Sequence, residues 1–153
     1  MMVTAWRIVA TRFASGAFSG EAARGDGGRW NSPGVRMVYT AGTISLALLE
    51  LLVRLNSGDA IPSYSRCSAR FDDSLLIPLD SKQLPRNWRQ SPTPASARAV
   101  GDQWIASARS VVLKVPSAVV EEESNYLINP AHADFKLMEI GQFQPIRLDP
   151  RLL

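Results

Sequence analysis

The chain has one cysteine, Cys67, and one histidine, His132, in 153 residues. A single thiol excludes an internal disulfide, and one imidazole leaves no Cys/His cluster with the spacing of a zinc site. Metal catalysis is therefore not expected. Lysine is nearly as scarce: Lys82, Lys114 and Lys136 are the only three, so arginine supplies fourteen of the seventeen basic residues. These residues are scattered, and a net charge of +3 is too mild to be a nucleic-acid footprint. Arginine in place of lysine suits forked recognition of phosphate or carboxylate, although a GC-rich genome produces the same bias with no structural cause. No apolar run approaches a membrane span, and the first residues lack a basic segment followed by an apolar one. The expectation is a cytoplasmic protein with neither a membrane nor a direct nucleic-acid partner. Gly25, Gly27 and Gly28 lack the spacing of a dinucleotide-binding fingerprint and precede no predicted helix, so hydride transfer is unsupported.

What is present is an ordinary globular composition, 46% apolar and 20% charged, at a length suited to one domain over residues 1–153. The most constrained stretch is Gly27-Gly28-Arg29-Trp30-Asn31-Ser32-Pro33-Gly34. Paired glycines permit close backbone approach, and Pro33-Gly34 reads as a tight turn into a strand. In that strand, Val35 to Thr40, alternation puts Met37 and Tyr39 on one face. Thr43 is placed to cap a helix from Ile44 to about Leu55, in which Ile44, Leu48, Leu51, Leu52 and Leu55 make an apolar stripe. Glu50 falls off the stripe, beside Thr43, Ala47 and Arg54. By periodicity alone it reads as a solvated partner of Arg54 at i,i+4.

Trp6 to Thr11 has the composition of a first strand, and Ala14 to Gly28, without an apolar period, reads as a mobile loop able to close over a ligand. Tyr64 to Phe71 and Leu75 to Leu79 predict a hairpin about an Asp-Asp-Ser turn. Ser96 is predicted to cap a second helix carrying Ala97, Val100, Gly101, Trp104, Ile105 and Ala108. Ser110 to Val120 reads as a buried strand bent at Pro116-Ser117, followed by a solvated turn at Glu121 to Glu123.

The GGRWN-x-PG stretch, the strand after it and the S-x-A-L-L-E helix resemble the RES family, named for an arginine, a glutamate and a serine. The LPxxWR segment from Leu84, the V-P-S-A-V segment around Ser117 and the N-x-L-x-N-P-A-H pattern ending at His132 extend the match to about residues 6–151. RES proteins are bacterial NAD-consuming toxins, usually encoded beside an Xre-like antitoxin, with a fold similar to ADP-ribosyltransferase toxins. The resemblance implies an α+β domain in which two small antiparallel sheets enclose an NAD cleft with helices outside. It also implies NAD+ as substrate and site residues Glu50, Arg29, Tyr39 and Ser117, with Arg7 matching an arginine near the family's start. In these roles Arg29 and Arg7 grip the pyrophosphate, Tyr39 stacks on nicotinamide, and Glu50 accepts from a ribose hydroxyl while facing the developing cation. Ser117, preferred to Ser124 as the family serine, orients Arg29 or the ribose. Without the resemblance, Tyr39 reads as a core tyrosine. His132 reads as a structural hydrogen-bonder and stays outside the catalytic set. The chain departs from the family at Arg54, where relatives often carry histidine, and at Glu121, where they commonly carry proline.

The function implied is a toxin that cleaves NAD+ at the nicotinamide–ribose bond, transfers ADP-ribose to a cellular protein and is neutralised by an antitoxin. Hydrolysis or phosphorolysis of NAD+ is the alternative. A non-catalytic module that holds an acidic protein or nucleic acid on arginines and tryptophans is the reading from a different class.

Overall fold

The computed structural model describes residues 1–153. In chain order the elements are β1 (Met2–Ala10), α1 (Glu21–Asp26), β2 (Val38–Ala41), α2 (Ile44–Leu52), β3 (Tyr64–Asp72) and β4 (Leu76–Pro78). They continue with α3 (Ala95–Ser107), β5 (Val112–Pro116), β6 (Ser124–Ile128), β7 (Glu139–Ile140) and β8 (Gln144–Ile146). The strands form one curled sheet in the order β4-β5-β6-β2-β1-β3-β7, with β8 also on β3.

The sheet is not evenly knit. β1 and β3 pair antiparallel along their whole length, from Met2↔Asp72 to Ala10↔Tyr64, and β2 pairs with β6 from Val38↔Ile128 to Ala41↔Asn125. Between these two ladders, β1 meets β2 only at Trp6↔Ala41. The expected two small sheets are thus two wings of one sheet, joined at a narrow seam.

Period-two alternation distributes the apolar residues to the faces of the wings. Val38, Val112 and Ile128 face a core with Ala5, Ala69 and Phe71. Leu113, Val115 and Leu127 face another with Met37, Trp30, Trp88 and Trp104. The third core lies under α2, where Leu46, Ala47 and Leu51 cover Ile8, Ala41 and Tyr64. Thr43 caps α2 as its sequence position predicts, its Oγ1 accepting from the Leu46 amide at 3.0 Å. The helix stops at Leu52, short of Leu55, because the Arg54 and Leu55 amides tighten onto the Leu51 and Leu52 carbonyls at 3.0 and 3.2 Å.

Three expectations give way. Residues 14–28 are not a loose loop but contain the end of a 3₁₀ turn, Thr11–Gly16, and α1. α1 buries no residue, so it leaves no apolar period; it is tied down through its carbonyls, with Ala23 O taken by the Asn31 side chain and Arg24 O by the Gly34 amide. The predicted hairpin does not form. β3 already has β1 on one edge and β7 and β8 on the other, so β4 pairs instead in parallel with β5, at Leu76↔Val112. Ser96 is not the cap of α3, which starts after Pro94; its hydroxyl donates to Asn87 Oδ1 at 2.9 Å. No helix is long and apolar enough to cross a membrane.

Candidate active site

A cleft of about 500 Å³ lies at the seam, with Trp6, Arg7 and Ile8 of β1 on one side and Tyr39, Thr40 and Ala41 of β2 on the other. Because the two strands part beyond their single register pair, side chains reach the β2 carbonyls. Arg7 Nη1 donates to Tyr39 O at 3.0 Å, and Asn125 Nδ2 donates to Thr40 O at 3.3 Å. Arg7 is enclosed by this arrangement. Burial pushes its guanidinium down to about 10, the nearby charge of Arg54 adds to the effect, and its Nε is buried without a partner.

α2 delivers Glu50 to the cleft wall, since the core stripe and the Thr43 cap fix which side of the helix faces the seam. Its carboxylate does not pair with Arg54, whose Nε reaches the Glu50 main-chain carbonyl instead, at 3.1 Å. The partner is Ser117, fully buried just past β5, whose Oγ lies 2.7 Å from Glu50 Oε1. Ser117 Oγ also accepts from the Val119 and Val120 amides, each at 3.1 Å. With both lone-pair directions used by amides, the one hydroxyl hydrogen has a single direction left, toward the carboxylate. Ser117 therefore orients Glu50, not Arg29. Ser124 lies in β6 opposite Pro116, where its carbonyl accepts from the Gly42 amide.

Arg29 reaches the cleft from the Gly-Gly loop and also anchors a neighbouring segment. Its Nη1 donates to Trp88 O at 2.6 Å and to Gln90 O at 3.0 Å. Burial lowers its pKa, opposed by the charge of Glu50. Arg89 ties the same segment to the facing wall, with Nε on Ala118 O at 3.1 Å and Nη1 on Glu121 at 3.0 Å. Beneath Arg29, Trp30 and Trp88 stack at 5.9 Å between centroids.

Tyr39 is mostly buried and lines the cleft. Its hydroxyl donates to Asn31 Oδ1 at 2.5 Å and accepts from the Trp30 amide at 3.0 Å. Burial drives the phenol pKa up, so it stays neutral. Asn31 is fully buried, and its Nδ2 donates to Ala23 O at 2.9 Å and Val35 O at 3.0 Å. From α3, Asp102 accepts from the Ser32 amide at 2.9 Å and the Ser32 hydroxyl at 2.6 Å. A side chain at Gly28 would strike the Tyr39 hydroxyl, which is the close approach that the glycine permits.

The cleft wall also holds Asp26, Thr93 and Asn125, which sequence reasoning left out of the site, and Arg54, whose part in it the sequence left open. Arg54 is signalled only by its place one turn after Glu50, and Asn125 only as the first residue of the N-x-L-x-N-P-A-H pattern. His132 does not line the cleft. Its Nδ1 accepts from the Asp134 amide at 3.0 Å, which leaves the proton on Nε2 to donate to Ala108 O at 2.9 Å. It is a structural hydrogen-bonder.

The architecture is that of a mixed α/β domain whose curled sheet opens at a seam to form a polar cleft. The same fold occurs in the crystal structure of the M. tuberculosis MbcT-MbcA toxin-antitoxin complex, with a TM-score of 0.77, 17% identity, and coverage of 95% of this chain and 85% of that one. The RES domain matches residues 4–149, and the chain belongs to the RES family. It is 36% identical to the Toxin Res of Yersinia enterocolitica over 149 residues, covering 96% of this chain and 97% of that protein. It is likewise 36% identical over 158 residues to the Prs ADP-ribosylating toxin of a Sphingobium species, covering 100% of this chain and 98% of the relative.

Proposed function

We propose that the chain is a toxin that cleaves NAD+ at the nicotinamide–ribose bond and transfers ADP-ribose to a cellular protein. The observation that carries this reading is the Glu50 carboxylate, held by Ser117 at 2.7 Å on the wall of a cleft that also presents Arg7, Arg29 and the Tyr39 ring. A volume of about 500 Å³ is within the range of small-molecule sites. Cations suit a pyrophosphate, and a flat aromatic wall suits nicotinamide. When the C1′–N bond breaks, its electron pair leaves with nicotinamide, which becomes neutral, and the ribosyl carbon becomes an oxocarbenium cation. A fixed carboxylate stabilises that charge as it develops, with no reorganisation at the moment of reaction. The acceptor then bonds to C1′ and releases a proton.

The name of the Sphingobium relative supports the reaction class. The fold neighbour, solved in a toxin-antitoxin complex, supports an antitoxin partner. We take that partner to be an Xre-like protein that covers the cleft in the cytoplasm and excludes NAD+. The test is to incubate the chain with NAD+ labelled in its adenosine and to measure free nicotinamide and the fate of the label. Label on protein supports transfer; free ADP-ribose means hydrolysis, and a phosphorylated ADP-ribose means phosphorolysis. Absence of nicotinamide release overturns the enzyme reading. A purified antitoxin complex that binds NAD+ as tightly as the free chain overturns occlusion.

A further inference from the structure

Three guanidinium groups reach the cleft, and they differ in what already holds them. Arg29 has one nitrogen shared between two main-chain carbonyls and feels the opposite charge of Glu50. Arg7 and Arg54 have no such compensation. Neither takes part in any ion pair of the chain. Arg7 spends one nitrogen on Tyr39 O and leaves a buried Nε unpartnered, and Arg54 spends only its Nε, on Glu50 O. Both line the same cleft, close enough for the charge of one to act on the other. Two like charges at one wall repel each other; Arg7 is buried and Arg54 exposed, so solvent screens part of that repulsion, but no carboxylate pairs with either. An anion with several charged oxygens does offset it, because paired guanidinium forks match phosphate geometry.

We infer that Arg7 and Arg54 together form a diphosphate seat, which makes Arg54 a substrate-binding residue. This rests on NAD+ being the substrate and specifies which part of the cleft receives its pyrophosphate. Arg54 lies just past the end of α2, four residues beyond Glu50, and its Nε rests on the Glu50 carbonyl, so a diphosphate on the pair keeps the adjoining ribose within reach of that carboxylate. Arginine at this position supplies a fork and a permanent charge.

The test is calorimetric titration of the full chain with inorganic pyrophosphate, ADP-ribose and adenosine. Arg54→Gln is expected to weaken pyrophosphate and ADP-ribose at least tenfold and leave adenosine unchanged, with Arg54→Lys in between. Free Arg54→Gln is expected to melt no lower than the original protein, because a repulsion has been removed, and to gain less on adding ADP-ribose. Unchanged affinity, an equal loss for adenosine, or a free protein that melts several degrees lower would each overturn the seat. Nicotinamide release on the same samples is read separately. A chain that binds pyrophosphate through Arg54 but releases no nicotinamide keeps the seat and loses the NAD+-cleavage reading; one that releases nicotinamide with Arg54→Gln affinities unchanged loses the seat alone.

Discussion

Replacing Ser117 with alanine removes one oxygen from a fully buried position and breaks three hydrogen bonds at once. Two of them are acceptances from main-chain amides, and the third is the donation to Glu50 Oε1 at 2.7 Å. A hydrogen bond to a charged group contributes about 1.5–3 kcal/mol, and neutral ones about 1 kcal/mol each. Some of the loss is recovered by relaxation of the 118–120 turn, so a net destabilisation of about 2 kcal/mol is expected, or roughly 4–8 °C in Tm for a chain of this size. The catalytic effect is separate. A carboxylate freed from its donor samples several rotamers, and losing most of its orientation is expected to lower kcat between about tenfold and a hundredfold, at about 1.4 kcal/mol per decade. KM for NAD+ should change little, because Ser117 does not line the cleft. The assay is nicotinamide release at saturating and limiting NAD+, well below the melting temperature. The decisive comparison is the double variant: if Ser117 acts through Glu50, adding Ser117→Ala to Glu50→Gln lowers kcat no further. A Ser117→Ala protein with full kcat, or a double variant in which the two losses multiply, would refute the positioning role.

Glu50→Gln preserves shape and removes charge, so the fold is expected to survive in circular dichroism while NAD+ cleavage falls by roughly 10² or more. Arg29→Lys keeps the charge and a nitrogen able to donate to Trp88 O and Gln90 O, which one Arg29 nitrogen holds, but offers a pyrophosphate no paired donors, so weaker NAD+ binding is expected with less than about 1 kcal/mol lost in denaturant melts. Tyr39→Phe leaves the ring on the cleft but orphans Asn31 Oδ1 and the Trp30 amide, so stability is expected to fall by about 1–3 kcal/mol with KM for NAD+ nearly unchanged. A large rise in KM would mean that the hydroxyl itself contacts substrate.

The parts of the site visible in the sequence are those that local periodicity or a family motif encodes. Thr43 caps α2 as its position predicts, but the stripe is legible only in part: the buried face is Leu46, Ala47 and Leu51, so Leu46 was missed and Ala47, expected beside Glu50, belongs to the core. What Glu50 meets cannot be read from positions 43 to 55. Ser117 is 67 residues away, and its approach depends on β5 and β6 packing beside β2. The i,i+4 spacing suggested Arg54 as the partner, but the arginine folds back onto the helix backbone and leaves the carboxylate to the serine. β4 was misread for a related reason. Its pattern suits any strand edge, and the choice between β3 and β5 rests on which edges distant segments had already filled. α1 escaped notice because only Ala23 packs against a core and no residue of it is fully buried, so hydrophobic period has little hold on it.

The seam between β1 and β2 also bears on genetics. Where the strands part, Arg7 lines the cleft and also donates to a carbonyl of the sheet, so its loss touches architecture along with the proposed chemistry. Glu50→Gln keeps an acceptor for Ser117, and Arg54 holds only a carbonyl at the end of a helix, so neither change removes a comparable share of the scaffold. Cells that escape killing by an unopposed copy of this gene are therefore expected to yield two separable kinds of survivor. Glu50→Gln and changes at Arg54 are expected to leave a folded chain at near-normal abundance, still able to capture the proposed antitoxin. Changes at Arg7 leave the Tyr39 carbonyl without its donor while removing a buried charge, so they are expected to lower the protein's abundance in part.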